Sequence, residues 1–265
     1  MTDKKSFQTI TYTKENLVAK IILNRPEIHN AFNEVMIQDL IDVFRNISKD
    51  NEVRVVVLTG NGKSFCAGAD LNWMKKVVDF SYEENLKESL ELAEFFYLIY
   101  SLPKPTIARV NGAAIGGGAG LVAVCDMVIA SDKARFSLSE VKLGLVPACI
   151  SPYEVRRIGE KNCRELFLTG ERIDAQKALN FGLVNQVVPH DELDNAVDEL
   201  VKQLLNSGPN ALAMCKKLLQ NVPLMSFDEV KKYTAEMIAS LRMSEEGQEG
   251  MNAFLQKRKP KWAKE

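Results

Sequence analysis

Apolar positions along the first 60 residues fall into three short runs, Phe7 to Tyr12, Leu17 to Leu23 and Val53 to Thr59. Each reads as a β-strand. The third, Val-Arg-Val-Val-Val-Leu-Thr, is almost wholly β-branched or apolar, the mark of a strand buried on both faces. Between the second and third runs, Met36, Leu40, Val43, Phe44 and Ile47 recur at helical spacing, and Asn33 stands where an N-cap belongs. A second unit follows. Tyr82 to Tyr100 reads as a helix stopped by Pro103 and Pro105, and Thr106 to Val110 as a strand. A glycine cluster opens into an apolar helix from Gly118 to Cys125, and Met127 to Ala130 is a short buried strand. Strands alternating with helices predict an α/β fold with parallel pairing.

Beyond about residue 150 the pattern turns helical. Ile150 to Leu168 and Asp174 to Asn180 read as helices, with one last strand within Gly182 to Val188. Leu193, Ala196, Val197, Leu200, Val201 and Leu204 then form a clean helical stripe, and two or three more helices run to about Phe254. No low-complexity linker and no obvious sequence repeat interrupts the chain.

Composition narrows the function. The 265 residues are 46% hydrophobic and 26% charged, and the formal net charge is −1. That balance excludes a disordered chain and disfavours nucleic acid as a partner. Only two histidines occur, His29 and His190, which excludes a multi-histidine metal site. The five cysteines, Cys66, Cys125, Cys149, Cys163 and Cys215, are scattered without a C-x-x-C pair, and buried reduced thiols are expected. The first residues hold no apolar core of a signal peptide, and the longest apolar stretch, Ala113 to Cys125, is too short to span a bilayer. A soluble, cytoplasmic protein is the expectation.

Three motifs fail. Gly60-Asn61-Gly62-Lys63-Ser64 lacks the earlier glycine of a phosphate loop, since Val57 stands there. No triple among Gly112, Gly116, Gly117, Gly118 and Gly120 fits G-x-G-x-x-G, and no G-x-S-x-G occurs. Two loops survive. Ser64-Phe65-Cys66-Ala67-Gly68-Ala69-Asp70 and Asn111-Gly112 through Gly118 each follow a predicted buried strand and lead toward a helix N-terminus. Their small side chains let a ligand approach the backbone, where free N–H groups and the helix dipole favour negative charge. Together they can hold an oxygen that becomes negative during reaction, a setting in which loss of one donor costs roughly 3–4 kcal/mol. The alternative for either loop alone is close helix–strand packing with no ligand.

This pair resembles the two signature loops of the crotonase, or enoyl-CoA hydratase/isomerase, superfamily. Leu23-Asn24-Arg25-Pro26, Pro105-Thr106-Ile107-Ala108, Cys125-Asp126, Phe136 to Gly144, Leu168-Thr169-Gly170, Ala178 to Val184 and Met251 to Lys259 extend the match over nearly the whole chain. The resemblance implies a crotonase-like ββα superhelix with an acyl-CoA site over residues 1–190. It implies a C-terminal helical oligomerisation region over 191–265, building a homotrimer or a hexamer. It further implies an acyl-CoA thioester as substrate, with coenzyme A entering only as part of it and no separate cofactor. By the same resemblance, the N–H groups of Ala69 and Gly117 bind the thioester oxygen, and Cys66, Ala67, Gly68, Ala69 and Asp70 line the CoA site with Arg25 near the phosphates. Phe254 and Lys257, from a neighbouring subunit, cover the adenine end. For the basic run Lys257 to Lys264 a solvated tail is the alternative.

Hydratases of the superfamily commonly use two glutamates. The first of those positions is here Gly120 and the second is Glu140, set between apolar neighbours that can raise its pKa toward neutrality. The alternative for Glu140 is an ordinary acid in the first turn of a helix capped by Ser139. One carboxylate suffices for an isomerase, and for a hydratase if it holds the water that supplies both hydroxide and proton. The Gly-Gly-Gly-Ala-Gly run, Ser-Glu-Val-Lys-Leu-Gly and Ser151-Pro152-Tyr153 resemble a bacterial branch treated as methylglutaconyl-CoA hydratase, of leucine breakdown. Pro147-Ala148-Cys149-Ile150-Ser151 replaces the usual glycine-rich segment after Glu140 and reshapes the acyl pocket. A non-catalytic acyl-CoA binder is the remaining reading.

Overall fold

The computed structural model describes residues 7–263. The leaderless N-terminal reading over residues 1–6 and Lys264 of the basic run lie outside them. Three strand–strand–helix turns build the body. In the first, β3 (Val55–Gly60) leads through β4 (Ser64–Cys66) to helices α2 (Leu71–Val77) and α3 (Tyr82–Tyr100). In the second, β5 (Thr106–Val110) and β6 (Ala113–Ile115) lead to α4 (Gly117–Val124). In the third, β7 (Met127–Ser131) and β8 (Arg135–Ser137) lead to α5 (Ser151–Thr169). The crotonase-like ββα superhelix is therefore present, although the sequence shows no repeat. The second strand of each turn is only three residues long, too short for its periodicity to register in the sequence.

The first strands of the turns join β1 (Ile10–Glu15), β2 (Val18–Leu23) and β10 (Gln186–Val188) in a six-stranded sheet of order β1-β2-β3-β5-β7-β10. Only the β1–β2 pair is antiparallel. The short second strands form another sheet, β4-β6-β8-β9, closed by β9 (Arg172–Asp174). The first strand lies three residues later than its apolar run predicts, because Leu17 and Asn16 take the left-handed conformations of a tight hairpin.

Period-two alternation divides β3 between two cores. Val56 and Leu58 pack with Ala108, Val110, Val128 and Ala130 on one face, against α1 (Glu34–Lys49), α3 and α4. Val55 and Val57 join Ile107 and Ile129 on the other face, beneath Leu193, Val197 and Val201 of α7 (Leu193–Leu205). Asn33 caps α1 as predicted, its side chain accepting from the Met36 amide at 3.1 Å. Helix α6 (Ala175–Phe181) packs near β10, and α8 (Pro209–Asn221), α9 (Phe227–Met243) and α10 (Glu245–Leu255) complete the chain. No helix among the described residues is long and apolar enough to cross a membrane.

The cysteines are all free, but not all buried. Cys66, Cys125 and Cys163 are buried, Cys149 is half-buried and Cys215 is exposed. The expectation of five buried thiols fails at Cys215, which α8 turns toward solvent. No group of three or more metal-ligating side chains occurs among the described residues.

Candidate active site

The two small-residue loops meet at the ends of β4 and β6, which pair in parallel. A Cβ added to Gly118 would collide with the Cys66 carbonyl. One added to Gly68 would lie 2.7 Å from the Ile115 carbonyl oxygen and 3.7 Å from the Gly117 nitrogen. Gly68 and Gly116 both hold positive φ, at 88° and 53°, conformations that glycine adopts without strain. The glycines therefore allow two backbones to touch where larger residues would hold them apart.

Among the described residues, two amides beside the contact, those of Ala69 and Gly117, donate to no backbone carbonyl. Phe32 accepts from the Asp70 amide and donates to the Gly68 carbonyl, in an isolated parallel bridge to Ala69. That pairing turns the N–H of Ala69 away from Phe32, and Ala69 is exposed. Gly117 is half-buried and is the first residue of α4, so its N–H has no acceptor within the helix. The Phe32 ring covers the Gly117 Cα and leans on Trp73, with ring centroids 5.9 Å apart.

Glu140 faces the same glycines. It begins the 3-10 turn Glu140–Leu143, and Ser139 makes no side-chain cap to it. Its Oε1 lies 3.2 Å from where a Gly116 Cβ would stand, and its Oε2 is buried without a hydrogen-bond partner. Burial pushes the carboxyl pKa up from its ordinary value. A carboxyl group with raised proton affinity thus lies against the second loop at Gly116, one residue before the free Gly117 amide, an arrangement able to move a proton beside a developing oxyanion.

Behind Gly120 there is no room for the second carboxylate. A Cβ there would collide with Ile150 Cγ2 and sit 3.3 Å from the Phe96 ring. Tyr153 is half-buried against Phe96 and Tyr100, and burial pushes its hydroxyl up to about 12.

The CoA-side residues of the sequence analysis fall into two groups. Arg25 and Asp70 are brought to the first loop, where they bind each other: Arg25 Nη2 donates to Asp70 Oδ2 at 2.7 Å and Nη1 donates to the Ala31 carbonyl. Burial raises the Asp70 pKa, but the Asn72 amide and the Arg25 guanidinium outweigh it and hold the carboxyl below its ordinary value. The same carboxylate caps α2 through the Asn72 amide. Cys66 is fully buried and burial pushes its thiol up to about 12, so its contribution to an opening is backbone, not sulfur. Ala67 is half-buried, its amide donating to the His29 carbonyl. Phe254 and Lys257 lie elsewhere. They sit at the end of α10, whose following segment is tied to Arg54 and Asn206 through Trp262. Arg54 precedes the first residue of β3, whereas the loops follow its last, so this tail occupies the far end of the strand.

Sequence reasoning missed Asn30 and, although it placed Asn111 in the second loop, missed what that side chain holds. Asn30 is completely buried, with φ 57°; its Oδ1 accepts from the Arg25 amide and its Nδ2 reaches the Asn61, Ser64 and Phe65 carbonyls. Asn111 bridges the Gly60 amide and the Gly62 carbonyl. Each is an amide at a strand end or turn with no periodic signal. Glu154 also escaped, because the helix around it reads as polar.

A two-sheet α/β superhelix whose adjoining strand ends bring two glycine-rich loops beside a buried carboxyl has the parts of an enzyme that moves a proton next to a stabilised negative charge. The comparisons make the class specific. Residues 13–265 match the family described as Enoyl-CoA hydratase/isomerase. An enoyl-CoA hydratase from Shewanella pealeana superposes with a TM-score of 0.94 at 42% identity, covering 97% of each chain. A short-chain-enoyl-CoA hydratase from Clostridium acetobutylicum is 35% identical, over 93% of this chain and 94% of its own. A trans-2-decenoyl-[acyl-carrier-protein] isomerase from Streptococcus mutans is 31% identical, over 97% and 98%. The chain belongs to the enoyl-CoA hydratase/isomerase family, and it is an enzyme of that lyase or isomerase kind.

Proposed function

We propose that the enzyme adds water across the double bond of a 2-enoyl-CoA thioester. The observation that carries this reading is the meeting of the Gly68–Ala69 and Gly116–Gly117 backbones with Glu140 Oε1 against Gly116. In the proposed reaction the thioester oxygen accepts from the Ala69 and Gly117 amides. The Glu140 carboxylate takes a proton from water, the hydroxide oxygen bonds to Cβ, and the C=C electron pair moves to make a thioester enolate. The enolate then takes the proton from Glu140 at Cα, giving the 3-hydroxyacyl-CoA with every proton returned. Amides aimed at the enolate oxygen act mainly on the transition state.

Cys66, Ala67, Gly68 and Asp70 form the wall along which the CoA moiety lies, with Arg25 adding positive charge at the phosphate end. Phe254 and Lys257 serve the adenine end from a second copy of the chain, which their distance from the loops within one chain supports. No separate cofactor is needed. Within the enoyl-CoA class, a branched acyl group with a distal carboxylate, 3-methylglutaconyl-CoA, is the substrate favoured by the resemblance around Ser151-Pro152-Tyr153.

Purified protein is to be mixed with crotonyl-CoA and 3-methylglutaconyl-CoA and loss of the enoyl absorbance followed. Turnover of one or both is expected, and Glu140→Gln should lower kcat by about 10²-fold or more with CoA binding kept. Intact CoA binding without turnover of either substrate would remove the hydratase reading. The second reading is a 3-enoyl- to 2-enoyl-CoA isomerase. The glycine at position 120 favours it, since shuttling one proton needs one carboxyl group. Conjugation of a 3-enoyl-CoA without incorporation of solvent oxygen would select it.

A further inference from the structure

Each candidate donor amide belongs to a peptide plane whose other end is a glycine carbonyl. In a trans peptide the carbonyl and the following N–H point in opposite directions. The Gly116 carbonyl accepts from the Ala119 and Gly120 amides, so the Gly117 N–H is directed out of α4. The Gly68 carbonyl accepts from the Phe32 amide at 2.8 Å, so the Ala69 N–H is directed away from Phe32. Whatever fixes these two planes fixes the donors.

Phe32 touches both. On the first loop it acts through its main chain. Besides the bond to Gly68, its carbonyl accepts from the Asp70 amide at 2.9 Å, which clamps the chain on either side of Ala69. On the second loop it acts through its ring, whose far edge, Cζ and Cε1, fills the space a Gly117 Cβ would take. The three atoms nearest that side of Gly117 all belong to this ring. Other contacts bring the loops together without bearing on it: Gly68 meets the Ile115 carbonyl, Gly118 meets the Cys66 carbonyl, and the Gly116 amide donates to the Ser137 carbonyl at 2.8 Å. The ring is itself braced. Phe32 is 2% exposed, and Asn33 after it caps α1. Trp73 leans on it from α2, the helix that Asp70 caps, and the Trp73 indole donates to Glu88 on α3. In a close-packed interior the ring edge cannot retreat from Gly117 without opening a void.

We propose that Phe32 is a positioning residue for the oxyanion donors: its main chain orients the Ala69 N–H and its ring edge sets the Gly117 N–H, so that both meet one oxygen. The inference rests on the hydratase reading for that oxygen being a thioester's. The main-chain half survives substitution at position 32 and the ring half does not, so side-chain variants loosen one donor and leave the other in place. An amide displaced from the enolate oxygen takes more from the transition state than from bound substrate, so kcat falls while KM holds.

The test uses full-length Phe32→Leu, which still fills the core but withdraws the far edge of the ring, and Phe32→Met, whose longer chain reaches back toward Gly117. Removing a whole donor costs about 10²–10³ in kcat. Loosening one should lower kcat on crotonyl-CoA by about tenfold in Phe32→Leu, with KM within about threefold, and Phe32→Met should recover most of the loss. A readout independent of turnover is the infrared stretch of the thioester carbonyl in bound butyryl-CoA, whose saturated acyl group cannot be hydrated. Binding to the wild type should lower its frequency, and Phe32→Leu should lower it less at an unchanged Kd. Coupling gives a third measurement. Gly117→Ala should lose activity because its Cβ meets the ring, and adding Phe32→Leu should restore part of it instead of compounding the loss. A wild-type carbonyl stretch in folded Phe32→Leu, or additive losses in the double variant, would overturn the proposal. A carbonyl shift that relaxes in Phe32→Leu, in an enzyme that hydrates no enoyl-CoA, would sink the hydratase reading alone.

Discussion

Single residues decide how this site differs from a two-carboxylate design. Gly120 is held small by Ile150 and Phe96, so even Gly120→Ala overpacks the core. We expect it to cost about 1–3 kcal/mol in chemical denaturation, with no gain in activity. Glu154 makes a separate contribution that depends on pH. Its folded pKa, about 8, stands above the ordinary 4.5, so the native state keeps a proton that the unfolded chain releases. By linkage, this group's contribution is fully present below the unfolded pKa, falls as pH rises between those two values and is flat beyond. Glu154→Met should therefore raise Tm more at pH 8 than at pH 5, and an equal shift at both would mean that the carboxyl is not protonated in the fold. Asp70 acts in the opposite sense: its depressed pKa contributes stability above the ordinary carboxylate range that is lost in acid. The sequence exposed Gly120 as a vacancy and Glu140 as its surviving counterpart, but not Glu154. A glutamate inside a polar-looking helix is read as solvated until the packing direction of that helix is known.

At the scale of elements, the site depends on turns more than on helices. Buried strands and amphipathic helices were legible because their periods persist over five or more residues, as in α1 and β3. The short strands β4, β6 and β8 were not, since their pairing is settled by glycine contacts between distant segments. Asn30 shows how such a turn is kept. It holds the Arg25 amide, the Asn61 carbonyl and two carbonyls of the first loop together from a left-handed conformation. Replacing it with Ala leaves several buried backbone groups without partners, each worth about 1–3 kcal/mol when orphaned. Asn30→Ala should thus lower Tm and raise KM for acyl-CoA, because the Ala69 amide loses its fixed position. An unchanged KM in a folded variant would show that the loop is held by the Arg25–Asp70 pair alone.

At the scale of the whole molecule, the C-terminal helices carry large apolar side chains that the body of the chain does not cover. Leu219, Leu224, Phe227, Met243, Phe254 and Leu255 are exposed, Phe227 at 89% and Phe254 at 83%. So much apolar surface on one group of helices marks an interaction face. The sequence showed these helices as amphipathic but could not say whether α/β body or another subunit took each apolar side. The structure assigns α7 to the body, where it completes the second core, and leaves α8 to α10 with apolar residues turned outward. The proposed occupant is a second copy of the chain, which would also account for Phe254 and Lys257 lying far from the loops they are proposed to serve. Static light scattering during size exclusion should therefore give a mass of three or six chains. Phe227→Asp with Leu224→Asp should shift that mass toward the 29.7 kDa monomer. If Lys257 reaches the CoA of a neighbour, the dissociated variant should bind acyl-CoA at least about tenfold more weakly, equivalent to 1.4 kcal/mol. A monomeric wild type with full affinity would place the adenine end on residues of the same chain and return the C-terminal basic run to solvent.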